Sequence, residues 1–144
     1  LGGGFPIGAL CAKEPFASAF EPGDHGSTFG GNPLACNTAY AALSTILNEN
    51  LSENSAVMGE YLIEKLGLLK EKYSFIKEVR GKGLMVACEF STPIANEVKI
   101  KCLENGFLIG SVGNNIIRML PPLIITKADI DLYISALDNV LKEI

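Results

Sequence analysis

Apolar residues at Ile130, Tyr133, Ile134, Leu137, Val140, Leu141 and Ile144 follow the i, i+3, i+4, i+7 spacing of one helical face. Thr126-Lys127-Ala128-Asp129 stands ahead of them in the order of a capping box, in which hydroxyl and carboxylate satisfy each other's backbone N–H groups. The same period predicts a longer helix upstream, with Val57, Met58, Tyr61, Leu62, Leu66 and Leu69 on one side. Glu53, Glu60, Glu64 and Glu71 interleave with lysines on its other, solvated side, and Asn50-Leu51-Ser52-Glu53 has capping-box spacing at its start. Between these helices the period changes. Phe75 to Arg80 and Leu84 to Phe90 read as strands joined through Gly81 and Gly83. Thr92-Pro93 predicts the cap of a helix with Ile94, Val98, Cys102 and Leu103 inward, ended by Gly106. Phe107 to Val112 and Ile116 to Leu120 predict a hairpin-like pair across Gly113-Asn114-Asn115, ended by Pro121-Pro122. These elements make an α+β unit, with helices covering one face of a mainly antiparallel sheet.

The first third of the chain reads differently. Pro33 to Leu47 predicts a helix that is apolar on most sides, through Leu34, Cys36, Tyr40, Leu43 and Leu47 among others. Such a helix expects burial around its circumference, more cover than this chain offers. Ile7 to Ala12 reads as a short buried strand after the flexible Gly2-Gly3-Gly4, and Phe16 to Asp24 as an irregular connection. The break at Asn48-Glu49-Asn50 divides the chain into residues 1–49 and 50–144.

Composition narrows the class. At 48% hydrophobic and 19% charged residues, the 144-residue chain is a globular composition rather than a disordered one. A net charge of −4 argues against nucleic-acid and anionic-membrane partners. No apolar run reaches transmembrane length and no signal peptide is visible. Cys11, Cys36, Cys88 and Cys102 are widely spaced among apolar residues, which predicts reduced core thiols in a cytoplasmic protein. One histidine and no Cys-x-x-Cys pair leave no metal site.

The candidate chemistry concentrates in His25-Gly26-Ser27-Thr28-Phe29-Gly30-Gly31-Asn32-Pro33-Leu34. Asn32 is a preferred N-cap and Pro33 suits the first helical position. The glycines ahead of that cap allow close backbone approach, and Ser27 and Thr28 bring hydroxyls that can meet an anion's oxygens. A tight loop entering a buried helix accounts for the spacing equally well. Arg118 stands isolated in an apolar strand, where a guanidinium is costly to bury unpaired and suited to bidentate capture of a carboxylate. An arginine turned to solvent or held in a structural ion pair is the alternative.

Gly26 to Leu34 resembles the cofactor-phosphate segment of class III, fold-type I pyridoxal-phosphate aminotransferases, most closely the acetylornithine/ornithine branch. Three further runs resemble that family in the same order. They are Leu1 to Ala9, like the run after the Schiff-base lysine; Val79 to Met85, like a small-domain strand pair; and Ile117 to Leu123, like the C-terminal arginine segment. The resemblance implies an α/β pyridoxal-phosphate transferase fold of fold type I. Residues 1–49 would be the tail of the large cofactor-binding domain and residues 50–144 the C-terminal small domain.

By the same resemblance, Thr28 binds the phosphate of pyridoxal 5'-phosphate held by the partner subunit of a homodimer. Ser27 touches the N-acetylated substrate, and Arg118 guards the active site, pairing with a glutamate of the large domain and becoming available to the carboxylate of the 2-oxo acid. The Schiff-base lysine would fall two residues before Leu1, so no catalytic residue is assigned within the chain; Lys13, followed by Glu14-Pro15, is no substitute. The lone His25 is expected to pack in the loop, and Arg80 and Lys82 to cap a turn or bridge domains. The implied activity is acetylornithine:2-oxoglutarate transamination in arginine biosynthesis, with the fragment alone inactive. Ornithine or 4-aminobutyrate aminotransferases are alternatives, as is an aminomutase, against which the retained Thr28-Phe29 speaks. From a different class comes a non-catalytic, self-associating α+β module.

Overall fold

Four antiparallel strands in the order β1-β2-β4-β3 organise the C-terminal part of the computed structural model, which describes residues 1–144 throughout. They are β1 (Ile76–Lys82), β2 (Met85–Phe90), β3 (Gly110–Val112) and β4 (Ile116–Met119). The helices are α1 (Pro33–Asn48), α2 (Leu51–Lys72), α3 (Ala95–Glu104) and α4 (Lys127–Lys142). The chain falls into two units, Leu1–Asn50 and Leu51–Ile144.

In the second unit the sheet has one dry face and one wet face, as strand alternation dictates. Val86, Cys88, Phe90, Ile117 and Met119 are buried with Leu62 and Leu66 of α2, Val98 and Cys102 of α3, and Ile130 and Leu137 of α4. Met85 and Arg118 face outward. The expected capping box at Thr126 and Asp129 forms, each side chain meeting the other's backbone N–H. Gly106, at φ +85°, ends α3 as expected, and the Phe107 N–H reaches back to the Cys102 carbonyl at 2.9 Å.

Several local expectations fail for identifiable reasons. Asn50 does not cap α2. It sits at φ +52°, a region asparagine tolerates, and closes α1 by donating its N–H to the Leu47 carbonyl at 3.3 Å. An N-cap needs an extended backbone instead. Ile94, not Thr92, caps α3, without a side-chain bond; Ala95 is buried and Leu103 is exposed. Ile7 to Ala12 forms no strand and is mostly exposed, because no neighbouring strand in this unit pairs with its backbone. Only Cys88 and Cys102 are core thiols, raised by burial to about 12 and about 11. Cys11 and Cys36 are exposed. In α1 only Ala35 and Ala39 are buried, and the remaining apolar side chains are partly or largely open, Tyr40 at 74% and Leu47 at 66% among them.

Two side chains in this unit carry stability predictions. Asp138 on α4 accepts from Lys72 Nζ at 2.6 and 2.8 Å and from the Tyr73 hydroxyl at 2.8 Å, and pairs with Lys142 at 2.9 Å. Lys72 first and then Lys142 hold its carboxyl well below the usual carboxylate range. The contribution is therefore complete above the unfolded value of about 3.9 and is lost as pH falls from there through the folded value. Asp138→Asn should lower stability by about 1 kcal/mol at neutral pH. Urea titrations should show that gap closing as pH drops below about 4; a gap independent of pH would refute the linkage.

Tyr133 is 8% exposed and its hydroxyl has no hydrogen-bond partner. Desolvation without a returned bond costs free energy, so Tyr133→Phe should raise stability by about 1 kcal/mol. A lowered urea midpoint would show that the hydroxyl is satisfied after all.

Candidate active site

The loop before α1 is built to present side chains outward. Gly30 N–H donates to the Ser27 carbonyl at 3.2 Å, which closes a turn over Ser27–Gly30. Gly31, at φ +69°, then takes a conformation that favours glycine and delivers the chain to Asn32. Asn32 locks both sides of that junction. Its Oδ1 accepts from the Ala35 N–H at 3.0 Å as the expected N-cap, and its Nδ2 donates to the Phe29 carbonyl at 3.0 Å.

Ser27 and Thr28 stand on this braced turn, and both are exposed. Neither hydroxyl, and none of the N–H groups from Gly26 to Phe29, has a partner within the chain. Thr28 is thus not a turn hydroxyl spent on local backbone. A Cβ at Gly30 would come within 2.9 Å of the Ser27 Cβ and 3.0 Å of its Oγ, so the glycine leaves the serine room. Ser27 lines a cleft of about 570 Å³ together with Phe5, Ile7, Gly30 and Asn32. The fold therefore brings the Leu1–Ala9 segment beside the hydroxyl loop. Spacing alone could not show this, since residues 10–26 lie between the two. His25 is exposed and unbonded, which corrects the packing role expected of it.

Arg118 lies in the second unit, on β4. That strand is internal, with Ala87 of β2 and Gly110 of β3 directly opposite Arg118. The backbone is held on both sides while the side chain faces solvent and enters no ion pair. The cost of burial that its apolar neighbours suggested is therefore not incurred, because alternation puts Ile117 and Met119 inward and Arg118 outward.

Arg80 is spent within the sheet rather than on capping a turn. Arg80 Nη1 binds Glu89 Oε2 at 2.7 Å and Glu78 Oε2 at 2.9 Å, and Lys77 holds Glu89 Oε1 at 2.6 Å. Sequence reasoning missed Glu89. Folding β1 onto β2 through Gly81-Lys82-Gly83 would have placed it beside Arg80, although the bulge between Ile76 and Glu78 hides the register of Lys77. A separate groove of about 380 Å³ beside Phe107, Pro121, Ile130 and Tyr133 is mostly apolar, with Asp129 its one charged lining residue.

One unit thus presents free hydroxyls and N–H groups suited to a phosphate, and the other an unpaired guanidinium suited to a carboxylate, on an α/β scaffold. The chain belongs to the class-III aminotransferase family, whose model matches residues 1–141. It is 51% identical, over all 144 residues, to the acetylornithine aminotransferase of Caldanaerobacter subterraneus, of which it spans 36%. Among solved structures it matches the acetylornithine aminotransferase of Elizabethkingia anophelis with a TM-score of 0.82 at 37% identity, covering 89% of this chain and 34% of that one. The ornithine aminotransferase of Plasmodium yoelii gives 0.81 at 35%, covering 88% and 34%. The fold is accordingly that of part of a fold-type I pyridoxal-phosphate transferase, and the chain spans little more than a third of the relatives it matches.

Proposed function

We propose that this chain is the C-terminal part of an enzyme that transfers an amino group from N-acetylornithine to 2-oxoglutarate, within arginine biosynthesis in the cytoplasm. The observation that carries the reading is the 51% identity to an acetylornithine aminotransferase sustained over every residue of the chain. In this reading residues 1–49 are the tail of the large domain, residues 50–144 are the small domain, and the working form is a homodimer.

Pyridoxal 5'-phosphate, when bound, supplies the electron sink that makes an amino acid's Cα–H acidic. The residues of this chain fit its phosphate: Thr28 and Ser27 hold hydroxyls without protein partners on a turn braced by Asn32. Thr28 donates to a phosphate oxygen across the dimer interface, and Ser27, one residue away in the same turn, faces the amino donor. Arg118 orients the 2-oxo acid by its carboxylate. None of these groups moves the substrate proton. That task falls to a lysine outside residues 1–144, and these residues alone do not transaminate.

In the intact enzyme, Thr28→Ala should weaken pyridoxal-phosphate binding about tenfold, the scale of one charge-assisted hydrogen bond, while Thr28→Ser keeps the affinity. Absorbance titration reads both, and an unchanged affinity in Thr28→Ala would overturn the assignment. Reading the coding sequence upstream of Leu1 for a lysine two residues away tests the parent directly. Ornithine is the second reading, favoured by the match to the Plasmodium yoelii enzyme. Comparing turnover of acetylornithine, ornithine and 4-aminobutyrate separates the donors.

A further inference from the structure

Thr28 carries two free groups, its hydroxyl and its N–H, on a backbone that is tied down on both sides. The Ser27 carbonyl before it accepts from the Gly30 N–H at 3.2 Å. The Phe29 carbonyl after it accepts from Asn32 Nδ2 at 3.0 Å. The peptide unit between Phe29 and Gly30 is thus held through both of its polar atoms. Left to itself, a turn flanked by Gly26, Gly30 and Gly31 has many conformers to choose from, because glycine restricts the backbone least.

The other end of the same carboxamide is anchored in the helix. Asn32 Oδ1 accepts from the Ala35 N–H at 3.0 Å, and Ala35, at 2% exposure, is one of the two buried residues of α1. One side chain therefore links the firm start of α1 to the loop that presents Thr28. Capping uses only the oxygen, and serine or aspartate caps as well as asparagine does. Neither replaces the second contact. Aspartate has no N–H to give, and a serine oxygen that caps Ala35 stands one bond nearer the backbone than Nδ2.

We propose that Asn32 is a positioning residue for the cofactor phosphate. Its oxygen starts the helix, and its N–H, through the Phe29 carbonyl, holds Thr28 in the geometry that meets a phosphate oxygen. The proposal rests on the reading of Thr28 given above. Apparent affinity scales with the fraction of turns already in the competent geometry, and one neutral hydrogen bond shifts such a balance by roughly two- to tenfold.

The test uses the intact enzyme and two readouts. In the apoenzyme, hydrogen exchange followed by mass spectrometry reports on peptides spanning residues 26–31, where Gly30 holds the bonded N–H. Asn32→Ser and Asn32→Asp should each speed that exchange several-fold and leave peptides within α1 unchanged. Asn32→Ala should speed both, because the cap is lost as well. Loop exchange unchanged in the Ser and Asp variants overturns the brace. Absorbance titration with pyridoxal 5'-phosphate is the second readout, with the neutral Asn32→Ser chosen so that no new charge faces the phosphate. Affinity should fall about threefold in Asn32→Ser, and adding that change to Thr28→Ala should weaken binding no further, since groups that act through one another are not additive. Losses that add in full would mean that Asn32 acts elsewhere, and would overturn the positioning role. If Thr28→Ala alone leaves the affinity unchanged, the phosphate reading of Thr28 falls and the positioning role with it, while faster loop exchange still upholds the brace.

Discussion

Gly59→Ala should destabilise the C-terminal unit by about 3 kcal/mol, the upper range for forcing an extra carbon into a filled site. Gly59 is buried in the middle of α2, where a residue without a side chain is ordinarily a weakness. Here the missing side chain is the contact. A Cβ at Gly59 would overlap the carbonyl of Gly83 and lie 2.8 Å from its Cα, backbone that cannot swing away. Gly83 is at φ +52° in the turn between β1 and β2, and a Cβ there would lie 2.8 Å from Ser55 Oγ. That same Oγ accepts from the Leu84 N–H at 3.3 Å. Two glycines and a serine thus let a hairpin turn lie directly on a helix.

For a unit of this size, a loss of that order lowers the melting temperature by roughly 12–24 °C. Gly67→Ala is the internal control, because the same helix has open space at that position. With nothing to strike, it should stabilise by about 0.5–1 kcal/mol through helix propensity alone. Thermal melts of the two variants should move in opposite directions. Equal shifts would mean that propensity, not the Gly83 contact, decides the outcome at Gly59.

That contact also shows what the sequence could convey. The period of α2 and the two strands are legible because burial imposes them. Met58, Leu62, Leu66 and Leu69 repeat on one helical face, and Val86, Cys88 and Phe90 alternate in β2. The Thr126 box was legible because both its partners are local. The misreading at Asn50 has another cause: a polar residue near a helix start can equally close what precedes it, and only the backbone angle decides. Ile7 to Ala12 was misread because an apolar run declares the wish for a partner strand without supplying one. At the site, motif order pointed to Ser27, Thr28 and Arg118. The pairing of Glu89 with Lys77 and Arg80 depends on sheet register, which composition and spacing do not encode.

Arg118→Ala, in the intact enzyme, should lower kcat/KM for 2-oxoglutarate by about 10²–10³-fold, equivalent to about 3–4 kcal/mol for a bidentate, charge-assisted contact. The argument starts from the strand. Hydrogen-bonded partners on both sides fix the backbone at Arg118, while small neighbours and the absence of an ion pair leave its head group free. Such an arginine has little backbone ordering left to lose on binding. Arg118→Lys should fall between, because it keeps the charge and loses the planar fork. The discriminating substrate is the aldehyde acceptor one carbon shorter, in which hydrogen replaces the carboxylate beside the keto carbon. It has nothing for the guanidinium to grip, so its turnover should change little in Arg118→Ala. A parallel collapse with both acceptors would mean that Arg118 supports the sheet rather than the substrate. Selective loss with 2-oxoglutarate would tie the outward face of β4 to carboxylate recognition.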